Sequence, residues 1–187
     1  MTPNELYDRS FPFILEREGG YVSREQAKRR NDPGGETNMG ICERDFPDED
    51  IKNLTVERVS SIYKSIYWDG DGAQHSYCDQ MPWPLCQAHL DCTVNIGNAT
   101  RRQDRTWKWT GQANKLLQRA LGTTDDGIIG PATLAMAGRA TLEDVLRYIN
   151  VRRNFYRALD KNPAFAGNLQ GWLYRCNELE KHIKANP

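Results

Sequence analysis

The 187-residue sequence has no surplus of charge of either sign: Lys plus Arg and Asp plus Glu both number 25, so the formal net charge is zero. A nucleic-acid partner would call for a clustered basic excess. The one basic run, KRR at 28 to 30, is short and leads into Asn31 and Asp32, so it reads as a solvated loop face. Also missing is any apolar run near the ~20 residues of a membrane-spanning helix. The opening residues MTPNELYDRS lack the basic start and apolar core of a signal peptide. These absences predict no nucleic acid, no stable membrane insertion, and synthesis in the cytoplasm without an export signal.

A disulfide framework is missing too. The five cysteines, Cys42, Cys78, Cys86, Cys92 and Cys176, are odd in number and irregularly spaced, which predicts free thiols. Cys86, His89 and Cys92 have ligand-type spacing, but no paired CxxC accompanies them. On one helix they share a face, which packing alone explains, so no metal is expected. Low-complexity linkers and internal repeats are absent as well.

What is present suffices for one sizeable domain, with 39% hydrophobic and 27% charged residues. A first helix carries Phe11, Ile14 and Leu15 at helical spacing. It starts either at a Ser10 cap with Pro12 in the early turn, or near Asn4 with a bend at Pro12. From Gly19 to Ile41 the composition turns to Gly, Pro, Asn and Asp, with β-formers at Tyr21, Val22, Thr37 and Ile41. This predicts a small hairpin or irregular sheet around the DPGG turn at 32 to 35. Helical patterns follow at 55–65, at 85–96 (the most apolar segment, ending at Gly97), and at 112–121 before Gly122. Thr141 opens another helix, with Asp144 completing a capping pattern. The last helix carries Leu169, Trp172, Leu173, Cys176, Leu179 and Ile183. The class is α+β, mostly helical.

Glu18 ends the first helix directly before Gly19 and Gly20. A glycine pair is an ordinary stop, because glycine takes the left-handed conformation that closes the last turn. An acidic group there meets the negative end of the helix dipole. That end, with partial burial, favours the protonated form of a carboxyl, which suits a proton donor. Breaking a glycosidic bond needs such an acid, and a second group to activate water or stabilise charge on the sugar. A Glu at the end of a first helix, followed by a hairpin bearing Asp32 and Thr37, has the layout of lysozyme-like folds.

Ordered blocks reinforce this reading: EGGYV at 18 to 22, DPGGETNMGI at 32 to 41, IYKSIYWD at 62 to 69 and LDCTVNIGN at 90 to 98. With them the chain resembles glycoside hydrolase family 108, the phage endolysin and secretion-associated N-acetylmuramidases marked by an E-G-G-Y motif. LLQRALG at 116 to 122 and DGIIGPATL at 126 to 134 resemble the peptidoglycan-binding-like region that accompanies the family. The resemblance implies a lysozyme-like fold with a β-hairpin lobe after the first helix. It divides the chain into a catalytic region at 1–110 and a helical peptidoglycan-binding-like region at 111–187, packed as one unit. It also implies cleavage of the β-1,4 bond between N-acetylmuramic acid and N-acetylglucosamine, without a cofactor.

By that resemblance Glu18 is the essential acid. Asp32 and Thr37 fall where a Glu–Asp–Thr arrangement places its second carboxylate and a water-positioning hydroxyl. Asp before Pro-Gly also initiates turns, and Thr37 also suits a strand; Glu36 is a spare carboxylate. SREQAKRRN between Val22 and Asp32 is longer and more basic than the family usually has. Tyr21, Trp68 and Asn95 are candidate sugar contacts, with Tyr67 and Trp83 as further aromatics near the cleft. Gly19, Gly20 and Asp91 are candidate structural residues at the site. Asp91 and Asn95, four apart, share a helix face and tie that helix to the hairpin or face the sugar.

The expected partner is peptidoglycan and the expected state a monomer. The expected place of action is the periplasm or cell wall, reached through a holin or a secretion-related route. The competing readings are a non-catalytic peptidoglycan-binding protein that keeps the fold, and a metal-dependent amidase or endopeptidase.

Overall fold

The structure, a computed structural model, describes residues 1–29, 34–70, 72–101 and 106–187. Helix α1 spans Pro3–Arg17. Its start is set by a capping box in which Thr2 and Glu5 satisfy each other's backbone N–H groups. Ser10 is therefore no cap: it lies buried mid-helix, and Pro12 is accommodated inside the helix. Tyr7, Phe11 and Ile14 drive this helix into the core. Glu18 is the C-cap, its N–H bonded to the Ile14 carbonyl, and Gly19 leaves the helix at φ 75°.

The segment after Val22 departs from expectation. Arg24–Arg29 form a short helix, α2, rather than a loop face. Strong helix formers account for this, and Lys28 and Arg29 lie at the dipole's negative end. Strands β1 (Thr37–Asn38) and β2 (Ile41–Cys42) pair antiparallel, and Val22 adds a bridge to Thr37. The turn of this hairpin is Met39–Gly40; of the DPGG stretch at 32 to 35, Asp32 and Pro33 lie outside the described residues. Met39 and Gly40 both have positive φ, 48° and 79°, the twist that two-residue hairpins prefer. Buried Ile41 and Asn38, whose amide donates to the Ile51 carbonyl, anchor the strands on either side.

Helix α3 (Val56–Tyr63), capped by Thr55, runs into a π-helical turn at Lys64–Trp68. Helix α4 (Leu85–Asn95) lies at the centre, and every residue from Leu85 to Thr93 is buried. A second hairpin, β3 (Ala99–Arg101) with β4 (Trp107–Trp109), follows it and was not foreseen in the sequence.

The remaining chain is helical: α5 (Gln112–Leu121), α6 (Pro131–Ala137), α7 (Leu142–Leu159) and α8 (Leu169–Ala185). Gly122 closes α5 at φ 71°, and Thr141 with Asp144 forms the capping box of α7. The turn before α6 is held from below, with Gln118 bonded to Asp126, Gly127 and Ile128 and Asn114 bonded to Gly127. One hydrophobic core runs through α1, α3, α4, α5, α7 and α8. The fold is α+β, mostly helical and lysozyme-like.

Candidate active site

Glu18 stands where α1, the first hairpin and α8 meet. Its side chain is 19% exposed, and Oε1 is buried 2.8 Å from Nη2 of Arg175. The N–H groups of Arg175 are not aimed along this contact, so the arginine acts on Glu18 through the nearness of its charge rather than through a directed hydrogen bond. The hairpin turn forms the other wall. A Cβ on Gly40 would lie 3.1 Å from Glu18 Oε2 and 2.2 Å from the Tyr63 hydroxyl, which donates to the Met39 carbonyl. Only glycine fits there, by space and by backbone conformation alike. Burial, and then the charge of Glu18, push the Tyr63 and Tyr67 phenols well above their usual range, so both are neutral hydroxyls.

Arg175 continues into a buried polar chain. Its Nε donates to Asp91 Oδ1 at 2.9 Å, and the other Asp91 oxygen takes Nη1 of Arg152. Arg152 also donates to the Tyr156 hydroxyl and to Asn95 Oδ1, and Tyr156 donates to the same Asn95 oxygen. Burial alone would raise Asp91; the Arg175 and Arg152 charges outweigh it and hold the carboxyl below the usual range. Asp91 thus ties α4 to α7 and α8, and its ionic partners are not on the hairpin.

Two hollows, of about 460 and 230 Å³, share Asn95 in their walls. The larger lies between the end of α1 and α8, with Arg17, Trp172, Tyr174 and Arg175 among its residues. The smaller reaches Tyr67, Phe46 and Thr100. Glu18 lines neither; Arg175 links it to the first, and the second contains Tyr67, which feels the Glu18 charge.

The other sequence candidates divide. Asn95 is exposed at the junction of the hollows, with Oδ1 engaged by Arg152 and Tyr156. Tyr21 is 41% exposed and donates its hydroxyl to Glu36. Trp68 is corrected: at 0% exposure it packs edge-on against Tyr7 in the core, and no ring face is open to a sugar. Thr37 pairs with Val22 and Cys42, and its hydroxyl donates to the Gly35 carbonyl at 3.3 Å. Asp32 lies outside the described residues. Gly19 supplies the left-handed step after Glu18, whereas Gly20 has open space around it. Trp83 donates to the Asn186 carbonyl, with Arg9 over its ring.

His89 is engaged on both ring nitrogens, by Tyr148 at 2.8 Å and Asn114 at 3.1 Å. The Asn114 amide nitrogen already donates to the His75 and Gly127 carbonyls. Its oxygen therefore accepts from Nε2–H of His89, and Nδ1 accepts from Tyr148. The five cysteines are free thiols, and among the described residues no three His, Cys, Asp or Glu side chains are grouped to hold a metal.

Arg152 and Arg175 escaped the sequence reading. Arg152 leaves a signal: it falls on the helical stripe of Val145, Tyr148, Ile149 and Tyr156, where an arginine must be buried and paired.

Comparison with known proteins bears on this site. Residues 11–97 match the glycosyl hydrolase 108 family model, and residues 112–177 match the model described as a predicted peptidoglycan domain. The structure of Brucella abortus SagA is similar, with a TM-score of 0.72 and 25% identity over 97% of this chain and 95% of that one. No curated protein matches the chain. Residues 11–97 thus belong to the glycosyl hydrolase 108 family and residues 112–177 to the predicted peptidoglycan domain, which makes the chain a glycoside hydrolase directed at peptidoglycan.

Proposed function

We propose that the protein is an N-acetylmuramidase that cleaves the β-1,4 bond between N-acetylmuramic acid and N-acetylglucosamine, with Glu18 as general acid. The observation that carries this reading is the position of Glu18. A partly exposed carboxyl closes α1, one oxygen is held by Arg175, and the other faces a hairpin turn reduced to backbone at Gly40. The proton passes from Glu18 to the glycosidic oxygen as the C1–O bond breaks, and the bonding pair stays on that oxygen. Water then adds to the sugar cation and gives up its own proton to a base. Asp32 is the proposed second carboxylate and Thr37 the proposed hydroxyl that positions the water. The Asn95 amide and the hollows on either side of it are the proposed path of the glycan.

In this reading the protein acts as a monomer on the cell wall, released through a holin or a secretion-related route. Mass spectrometry of digested peptidoglycan tests the bond directly. Fragments with a reducing N-acetylmuramic acid end are expected; a reducing N-acetylglucosamine end, or free stem peptides, would reject the assignment. Glu18→Gln, which keeps size and shape but delivers no proton, is expected to lose activity by about 10²–10⁴-fold while still folding. A variant that retains a third or more of the wild-type rate would remove Glu18 from the mechanism. Sedimentation with walls without release of fragments would instead mark a binding protein.

A further inference from the structure

We propose that Arg175 is the positioning residue of the acid: it fixes one oxygen of Glu18 so that the other is presented to the glycosidic bond. This rests on the reading of Glu18 as general acid. Three features of the geometry support it.

First, Arg175 is held from behind. Its Nε is bonded to Asp91, which is fully buried and bound in turn by Arg152, so the guanidinium cannot swing away from Glu18 without breaking a buried pair. Asp91 thus acts on Glu18 through Arg175, and Arg152 through Asp91. Second, the two Glu18 oxygens are unequal. Oε1 is buried against Arg175, whereas Oε2 lies toward Gly40, which has no side chain of its own, and the Tyr63 hydroxyl beside it. Third, the charges match the chemistry. When Glu18 gives up its proton it becomes an anion beside a fixed cation, which stabilises the product of proton transfer without reorganisation.

Arg175 also lies within the segment matched as the predicted peptidoglycan domain, residues 112–177. The C-terminal region therefore contributes a side chain to the catalytic centre, in addition to any contact with the wall. A lysine at 175 would supply one point charge and could not bond Asp91 through one nitrogen while a second nitrogen of the same rigid group stands 2.8 Å from Glu18.

The test uses the full chain and soluble peptidoglycan glycan fragments, with kcat and KM measured for Arg175→Ala and Arg175→Lys and folding checked by circular dichroism. Arg175→Ala is expected to lose kcat by about 10²-fold, the cost of a misplaced catalytic group, with a smaller rise in KM because Arg175 also lines the larger hollow. Guanidinium ion at non-denaturing concentration is expected to restore part of that kcat in the Ala variant and none in wild type. Arg175→Lys, which keeps a cation beside Asp91, is expected to fold and to lose kcat by a smaller factor. If the Ala variant does not fold, the Lys variant decides. Wild-type kcat in whichever variant folds, or a raised KM with kcat intact, overturns the proposal. Glu18→Gln separates the two readings. If it is inactive while the Arg175 variants run at full rate, only the role of Arg175 fails; if it is active, the acid assignment fails and this role with it.

Discussion

Asp91 on α4 and Arg175 on α8 are joined by a 2.9 Å bond across 84 residues of sequence, and Arg175 reaches on to Glu18 at the end of α1. The second oxygen of Asp91 holds Arg152 of α7. One carboxylate thereby sets the mutual positions of the helix that ends at Glu18 and the two helices that face it. Buried ion pairs of this kind add little net stability over an apolar replacement, but breaking one leaves an uncompensated charge.

Asp91→Asn is therefore expected to destabilise the fold by roughly 3–5 kcal/mol, because Arg152 stays buried without its anion. Urea denaturation at neutral pH measures this. A loss below about 1 kcal/mol, the range of an exposed pair, would mean that water enters the cluster.

Stability is expected to fall with acid in two steps. Burial pushes the His89 imidazole down to about 4 from 6.5. The unfolded chain then binds a proton that the folded chain refuses, so stability is full above pH 6.5 and declines as pH drops toward 4. The loss from this group is roughly 3 kcal/mol across the window. Asp91, held below its ordinary 3.8, stabilises above that value and loses its contribution as pH falls further, through its folded value. Urea midpoints at pH 7, 5.5 and 4.5 read the first step; His89→Gln should flatten it. An unchanged slope in that variant would assign the effect to other groups.

Gly40→Ala is expected to cost about 1–3 kcal/mol, the range for a strained backbone position, since it places a side chain at φ 79°. Activity should fall further than stability explains, because the new methyl must displace the Tyr63 hydroxyl and crowd the Glu18 carboxyl. Assays well below the melting temperature separate the two effects. Full activity would show that the hairpin turn does not wall Glu18.

Asp32→Asn is expected to fold and lose rate sharply, whereas Glu36→Gln, whose native carboxylate accepts the Tyr21 hydroxyl, should stay active. Asparagine initiates turns nearly as well as aspartate, so the substitution separates charge from turn formation. Thr37→Val removes the hydroxyl and keeps the strand preference. An inactive Glu36→Gln beside an active Asp32→Asn would move the second carboxylate to Glu36.

What the sequence determined by itself was local. Thr141 with Asp144, Gly122 after α5 and the glycine after Glu18 act through hydrogen bonds and φ values within a few residues, so caps and ends are legible without the fold. The helix at Arg24–Arg29 was equally local: its helix formers were there to be read, but the length and charge of the segment suggested a loop.

What required tertiary structure was depth and partnership. Trp68 has the composition of a sugar platform, and only the packing of Tyr7 against it puts it in the core. The turn at Met39–Gly40 carries no strong hairpin dipeptide; the register set by Val22, Thr37 and buried Ile41 imposes it. Asp91 reads as a polar residue on an apolar helix that needs partners, but those partners lie 61 and 84 residues away. A sequence shows that a buried charge must be neutralised, because desolvation makes the isolated charge untenable. Which helix brings the opposite charge is decided only when the chain has folded.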